Sequence, residues 1–531
     1  MFGIKSLVKR LKLNHRPDGL SLYQLLKLEL TLDGEHKPKP DPYLQQQLTN
    51  FYHVPWRLET FMAFGLLLCC NSLLTLFTLI PLKLSMFWWN QNWRRSALKK
   101  DAYTVVLVVS AVWILLFPQF DISRLYHDVR GSEHIKLYVM FGVLEVADKL
   151  FLSLGADLLS ILYNTESNTF FPLAFALSVL YLTCHGYILI YQCVLLNVAA
   201  NSYSNALLAL LLLNQFSELK LLVFKKFERE GLFQVAMADL AERFQLLLML
   251  AIIAIRNLVQ LLASSEGIIP SSWALWNRWL GAIMGPGVVV IGLEIFVDWL
   301  KHCFILKFNR IRPRVYSNFL YVLLMDYLSL FESRESLADY LSLTRRVGVS
   351  LLALSVCFLR MTFTDICQLL LVSASPMLSI VVGVLAFVGL LTLRLVIGMA
   401  LLKWSNHTSS RQRLYRNMHK KSRSLDMDLH KTKSVESTPN LQNNHPLETP
   451  EPASPSSYRS PVVQFLFFPG DPNTETSSIN PKTRSYLYDD DETVPLTPEQ
   501  RRNMSHTDTS VGLDEGLAKV LRYKMSSKRI W

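Results

Sequence analysis

Residues 279–302 read WLGAIMGPGVVVIGLEIFVDWLKH, an apolar run that nevertheless carries Glu294, Asp298, Lys301 and His302. A helix rises 1.5 Å per residue, so about 20 residues cross a hydrocarbon core about 30 Å thick. In lipid, a helix is the one single segment that pairs its own backbone. Glu294, Asp298 and His302 recur every fourth residue and share a helical face, with Lys301 three residues after Asp298. Ionisable side chains at membrane depth cost a few kcal/mol each, so they face a bundle interior or a water-filled cavity. Two readings are open. The stripe is either a cation or proton pathway, or an ion-paired helix end whose Glu294 meets an arginine of a neighbouring span. Arg256, Arg360 and Arg394 are the candidate partners, and Asp365 lies five residues beyond Arg360.

Five further runs are long and apolar enough to cross: residues 103–120, 171–198, 244–263, 349–372 and 377–402. Two are ambiguous. Residues 58–80 are apolar but run into Pro81, and residues 136–163 are interrupted by Glu145, Asp148, Lys149 and Asp157, which predicts an amphipathic helix, either interfacial or lining a cavity. The fold class is therefore all-α, a polytopic membrane bundle of six to eight spans with amphipathic interfacial helices. Basic residues collect in 220–243, 301–346 and beyond Lys403, whereas 164–170, 264–277 and 373–376 contain no Lys or Arg. Basic loops stay cytosolic, so both termini are expected in the cytosol. Residues 58–80 then form a re-entrant hairpin in the six-span solution, whereas 58–80 and 136–163 both cross in the eight-span one.

The whole composition agrees. Of 531 residues, 51% are apolar and 18% charged, and the net charge is +12, with a mean hydropathy of +0.24. This excludes whole-chain disorder and argues against an ordinary soluble protein. Three regions are expected: a partly disordered cytosolic region over 1–57, the membrane domain over 58–402, and a disordered tail over 403–531. The tail holds 11 of the 23 prolines, with basic residues first and Ser, Thr and Pro after, and it should build no core. Its basic part would attract anionic lipid. Thr438, Thr449, Ser454, Ser460 and Thr497 each precede proline and are candidate phosphorylation sites. The seven cysteines lie in or beside apolar runs and read as small buried hydrophobes, not a disulfide framework.

Motifs for catalysis are missing. No P-loop, dinucleotide fingerprint, HExxH or zinc-spaced Cys/His set occurs, so no enzyme, cofactor or metal is expected. Glu145 and Lys149 at i and i+4 suit a helical ion pair. Gly281, Gly285 and Gly287 around Pro286 would permit either close helix approach or a broken, site-bearing span. Lys225 and Lys226 among Phe224, Phe227 and Phe233 fit a short helix on a lipid surface better than a nucleic-acid platform.

Several of these residues fall in dispersed elements of one order. LEVADKLF at 144–151 resembles the LEVADRLF element of the transmembrane anterior posterior transformation family, with Lys149 in place of arginine. VFKKFE at 223–228, LFQ at 232–234 and ERF at 242–244 follow its order, as do Val297-Asp298, Lys301-His302, Phe304-Ile305 and Lys307-Phe308-Asn309. Glu145, Asp148, Lys149, Lys225, Lys226, Phe227, Glu242 and Arg243 are thus family-motif positions. The resemblance covers residues 58–402. It implies a non-enzymatic multi-pass protein of the endoplasmic reticulum, or of a ciliary-base or centrosomal membrane. It also implies support of protein folding and trafficking, links to primary cilium formation and developmental patterning, and a SUN-domain-like membrane partner. Besides that partner, the lipid bilayer is expected, nucleic acid is not, and the oligomeric state stays open. The alternative function is an ion or lipid channel or transporter built on the acidic and histidine stripe.

Overall fold

The computed structural model describes residues 23, 26, 30, 42–89, 95–132, 134–164, 170–201, 216–264, 273–332, 347–363, 365, 376–435, 483–488 and 494. Among them there is no strand. The chain divides into two compact units, Met1–Tyr52 and His53–Trp531. The described part of the first is mainly the opening turns of α1; the core lies in the second.

The helices are α1 (Pro42–Trp89), α2 (Arg95–Leu115), α3 (Ile122–Arg130), α4 (His134–Asn164), α5 (Phe171–Asn201), α6 (Arg229–Ser264), α7 (Trp273–Asn309), α8 (Val315–Glu332), α9 (Leu351–Phe358) and α10 (Pro376–Val435). A 3-10 turn, Pro118–Phe120, lies between α2 and α3, and a π-helical turn, Leu359–Phe363, follows α9. α5 is the hub, packing against α2, α3, α4 and α9, while α6 packs on α7 and α8 on α10.

Among the described residues, three helical stretches are long and apolar enough to cross a membrane: Thr49–Met86, Phe171–Ala199 and Met377–Ser410. A fourth is bent, with Lys100–Leu115 and Pro118–Arg130 meeting at 77°. The run before Pro81 is therefore no hairpin, because α1 continues through both Pro55 and Pro81. A proline removes one backbone bond, whereas reversing the chain in lipid would strand many. The hydroxyls of Ser72, Thr75 and Thr78 in α1 bond back to the carbonyls of Leu68, Asn71 and Leu74, so these polar residues satisfy themselves inside the helix.

The bend after α2 has an identifiable support. Leu115 sits where the helix ends and its carbonyl loses its helical donor. Arg360, from the π-helical turn, donates Nε to that carbonyl at 2.8 Å and Nη2 to the Phe120 carbonyl at 3.2 Å. The helix begins anew at Asp121, whose carboxylate accepts from the Ser123 amide at 3.1 Å as the N-cap of α3.

α4 is amphipathic in the opposite sense to a surface helix. Val139, Val143, Val146, Leu150 and Leu154 recur on one face and are exposed, while Glu145, Asp148 and Lys149 point to partners inside the bundle. An interfacial helix would present its charges to water. Here the apolar stripe faces outward, as it does along the exposed residues Met377 to Met399 of α10.

α7 shows no break at its Gly-Pro cluster and runs unbroken from Trp273 to Asn309. It stops at Arg310, whose φ of 55° is left-handed. There the Ile311 amide bonds back to the Leu306 carbonyl at 3.1 Å, the six-to-one bond of a Schellman ending. α10 likewise continues past Leu402 as one element to Val435. Residues 483–488, in the stretch where composition predicts no core, pack on α8, and Leu487 is fully buried. Too short for a core of its own, the segment shares an existing one.

Candidate functional site: a buried charge network

α1, α6 and α7 meet at a set of buried ionisable groups. Arg243 on α6 donates Nε to Asp298 Oδ2 at 2.6 Å and Nη1 to Glu59 Oε1 at 2.8 Å. Trp299 Nε1 donates to the same Glu59 oxygen at 2.7 Å. Lys301 lies 2.7 Å from Asp239 Oδ1 and 3.1 Å from Asp298 Oδ1, and Glu218 approaches it at 3.7 Å. Asp239, Asp298, Lys301 and His302 are each at most 2% exposed. Charges this deep are tolerable because each has a counter-charge and further hydrogen bonds.

His302 closes one end of the network. Its Nε2 is 2.7 Å from Asp239 Oδ2, and its Nδ1 is 2.8 Å from the Tyr316 hydroxyl. A parallel chain lies between α4, α5 and α6. His185 Nε2 is 2.7 Å from Asp148 Oδ1, and its Nδ1 is 2.9 Å from the Tyr181 hydroxyl. In both, one imidazole links a carboxylate at Nε2 to a phenol at Nδ1, so each ring nitrogen has a hydrogen-bond partner. Gln245 completes the second set by donating to Asp148 Oδ2 at 2.9 Å and to Gln192 Oε1 at 3.1 Å. Gly155 makes room for it, since a Cβ there would collide with the Tyr181 hydroxyl.

Of the stripe residues expected to act together, Asp298, Lys301 and His302 do meet, through Asp239. Glu294 is buried beside them, but no hydrogen bond or ion pair involves it among the described residues. The expected arginine partners are engaged elsewhere. Arg256 pairs with Asp365 at 3.1 Å, Arg360 caps the carbonyls at the α2 bend, and Arg394 donates to Thr75 Oγ1 at 3.2 Å. A guanidinium has five donors, and backbone carbonyls or a hydroxyl satisfy it as well as a carboxylate does.

Glu218, Asp239 and Glu242 bring carboxylate oxygens within 4.8 Å of one another, a spacing that suits a metal ion. Their charge already has an answer. Lys301 contacts Asp239 and Glu218, and Lys149 lies 3.0 Å from Glu242. The donor set fits ion pairing better than a cation cage.

Residues 94–410 match the Eukaryotic membrane protein family. The chain belongs to that family. Its relatives include Endoplasmic reticulum membrane protein 65 of Saccharomyces cerevisiae, 32% identical over 92% of this chain and 88% of the relative. The protein of that name in Schizosaccharomyces pombe is 37% identical over 60% of this chain, which spans 54% of that relative's length. The transmembrane anterior posterior transformation protein 1 homolog of Homo sapiens is 32% identical over 72% of this chain and 68% of the relative. The family resemblance read from the motifs is thereby shown. No solved structure matches.

The family-motif positions touch one another. Lys149 bridges Glu145 at 3.3 Å within α4 and Glu242 on α6, while Arg243 joins the Val-Asp element through Asp298. The Phe227 amide donates to Asn309 Oδ1 at 2.9 Å, and Asn309 Nδ2 donates to the carbonyls of Lys225 at 3.2 Å and Ile305 at 2.9 Å. Lys225 also lies over the Phe227 ring at 5.6 Å. Lys226 follows in the same short connection before α6. That connection is thus tied to the end of α7, and residues 229–243 are the first turns of the long α6 rather than a separate surface helix. Sequence reading missed Glu59, Asp239, Tyr316, Tyr181 and His185. Asp239 was the most accessible of these, since it lies three and four residues before Glu242 and Arg243 on one helix.

Proposed function

We propose that the chain is a non-enzymatic scaffold of the endoplasmic reticulum membrane that supports folding and trafficking of membrane and secretory proteins. The observation that carries this is the mutual neutralisation of Arg243, Asp298, Lys301 and Asp239, which spends the buried charges on holding α1, α6 and α7 together. The names of the fungal relatives support the organelle, and the animal relatives' names support a developmental role. In this reading both termini are cytosolic, and six to eight segments cross, with α4, α6 and α7 joining the apolar spans. Primary cilium formation and pairing with a SUN-domain-like membrane protein belong to the same proposal. A ciliary-base location is its alternative setting.

A second reading, an ion or lipid channel or transporter, is favoured by two groups: Glu294, and Arg243 Nη2, which is buried without a partner among the described residues. Reconstitution into liposomes separates the two. The scaffold reading expects no ion or lipid flux from the native chain, and less folded protein from Asp298→Ala. Robust flux that Asp298→Ala abolishes at unchanged expression would establish transport.

A further inference from the structure

The six residues from Thr483 to Tyr488 are seated against the start of α6 and against α8. Arg484 Nε donates to Glu230 Oε1 at 2.6 Å, and the Tyr488 hydroxyl donates to the same oxygen at 3.0 Å. Arg229 reaches the other way. Its Nη1 donates to the Leu487 carbonyl at 3.4 Å, and its guanidinium lies over the Tyr488 ring at 6.0 Å. The Tyr486 ring meets Tyr321 edge-on at 5.0 Å, and Thr483 Oγ1 donates to Asp326 Oδ1 at 3.5 Å. Leu487 is fully buried, Tyr488 nearly so, and Ser485 alone of the six is exposed. Burial, with the Glu230 carboxylate adding to it, raises the Tyr488 phenol above its ordinary value, so it stays a hydrogen-bond donor.

These contacts have the anatomy of a peptide–receptor interface, with a buried leucine anchor, a tyrosine half in the pocket, and a charge-assisted bond that sets the register. We propose that the cleft between the start of α6 and α8 is a peptide-docking site, and that its resident ligand is the chain's own segment 483–488. The cleft selects an arginine followed at the second, third and fourth positions by tyrosine, leucine and tyrosine. Glu230 takes both the cation and the last phenol, and Leu487 fills the space between. The tail is thereby a latch. It grips α6 and α8, the helices that carry Asp239 and Tyr316. Residues 436–482 join α10 to the segment in one chain, so docking within the chain is independent of protein concentration.

Amide hydrogen exchange on the full chain in lipid nanodiscs tests this, read on fragments covering residues 483–488. In the native chain the segment should exchange roughly tenfold or more slowly than in Leu487→Asp, because protection reports the closed population. Glu230→Arg should remove the protection and the double variant Glu230→Arg with Arg484→Glu should restore it, a rescue that general misfolding would not produce. Equal exchange in the native chain and Leu487→Asp would overturn the proposal, as would protection that survives both single variants. Protection that falls on dilution, or with one chain per nanodisc, would mean that a second copy supplies the segment, which also overturns a latch made within one chain.

Discussion

Two tyrosine–histidine–aspartate chains sit among the described residues, and they differ in what the far oxygen of each aspartate meets. In one, Asp239 gives that oxygen to the Lys301 ammonium, and through Lys301 the chain joins Asp298, Arg243 and Glu59. In the other, Asp148 gives it to the neutral amide of Gln245. The first is a segment of an ion-pair network across three helices. The second is a local hydrogen-bonded brace across α4, α5 and α6. The lesson is that one side-chain motif serves two energetic regimes, and that the cation beside it decides which.

The comparison is sharpest at the two aspartates. Asp239→Ala strands a buried ammonium and an imidazole together, a loss expected to cost about 3–5 kcal/mol. Thermal unfolding of the detergent-purified protein should show it as the larger of the two aspartate losses. Asp148→Ala leaves His185 and Gln245 without their acceptor but strands no permanent charge, so about 1–3 kcal/mol is expected by the same measurement. If the two losses are equal, the cation beside Asp239 does not set the difference. Smallest is Lys149, whose side chain is 39% exposed. Lys149→Met should cost about 1 kcal/mol or less, and Lys149→Arg should be near neutral, since Lys149, Glu145 and Glu242 are all partly exposed and can relax around the change.

Much of this was legible from residue spacing. The 294/298/302 periodicity placed three buried groups on one face of α7, and the Glu145–Lys149 spacing marked a real ion pair. The side on which α4 turns its charges was not legible, because a stripe of valines and leucines opposite a stripe of charges describes a surface helix and its inverse equally. Only packing against α5 and α6 decides it. Nor did the arginines announce their partners: Arg360 satisfies carbonyls that exist only because α2 breaks after Leu115, a tertiary event with no sequence period. Pro81 misled for the opposite reason, since a local helix breaker was overridden by the cost of unpaired backbone in lipid. The candidate phosphorylation sites at Thr438, Thr449, Ser454, Ser460 and Thr497 lie outside the described residues.

Buried opposite charges hold the helices to one another, and a double-mutant cycle on Arg243 and Asp298 reads that coupling directly. Arg243→Met and Asp298→Leu should each destabilise the purified protein by about 3–5 kcal/mol, because each leaves the other charge buried and short of a partner. The double variant should lose less than the sum of the two, by about 1.5 kcal/mol or more, the signature of direct coupling. Losses that simply add would contradict the claim, because the two groups would then be answering to something other than each other.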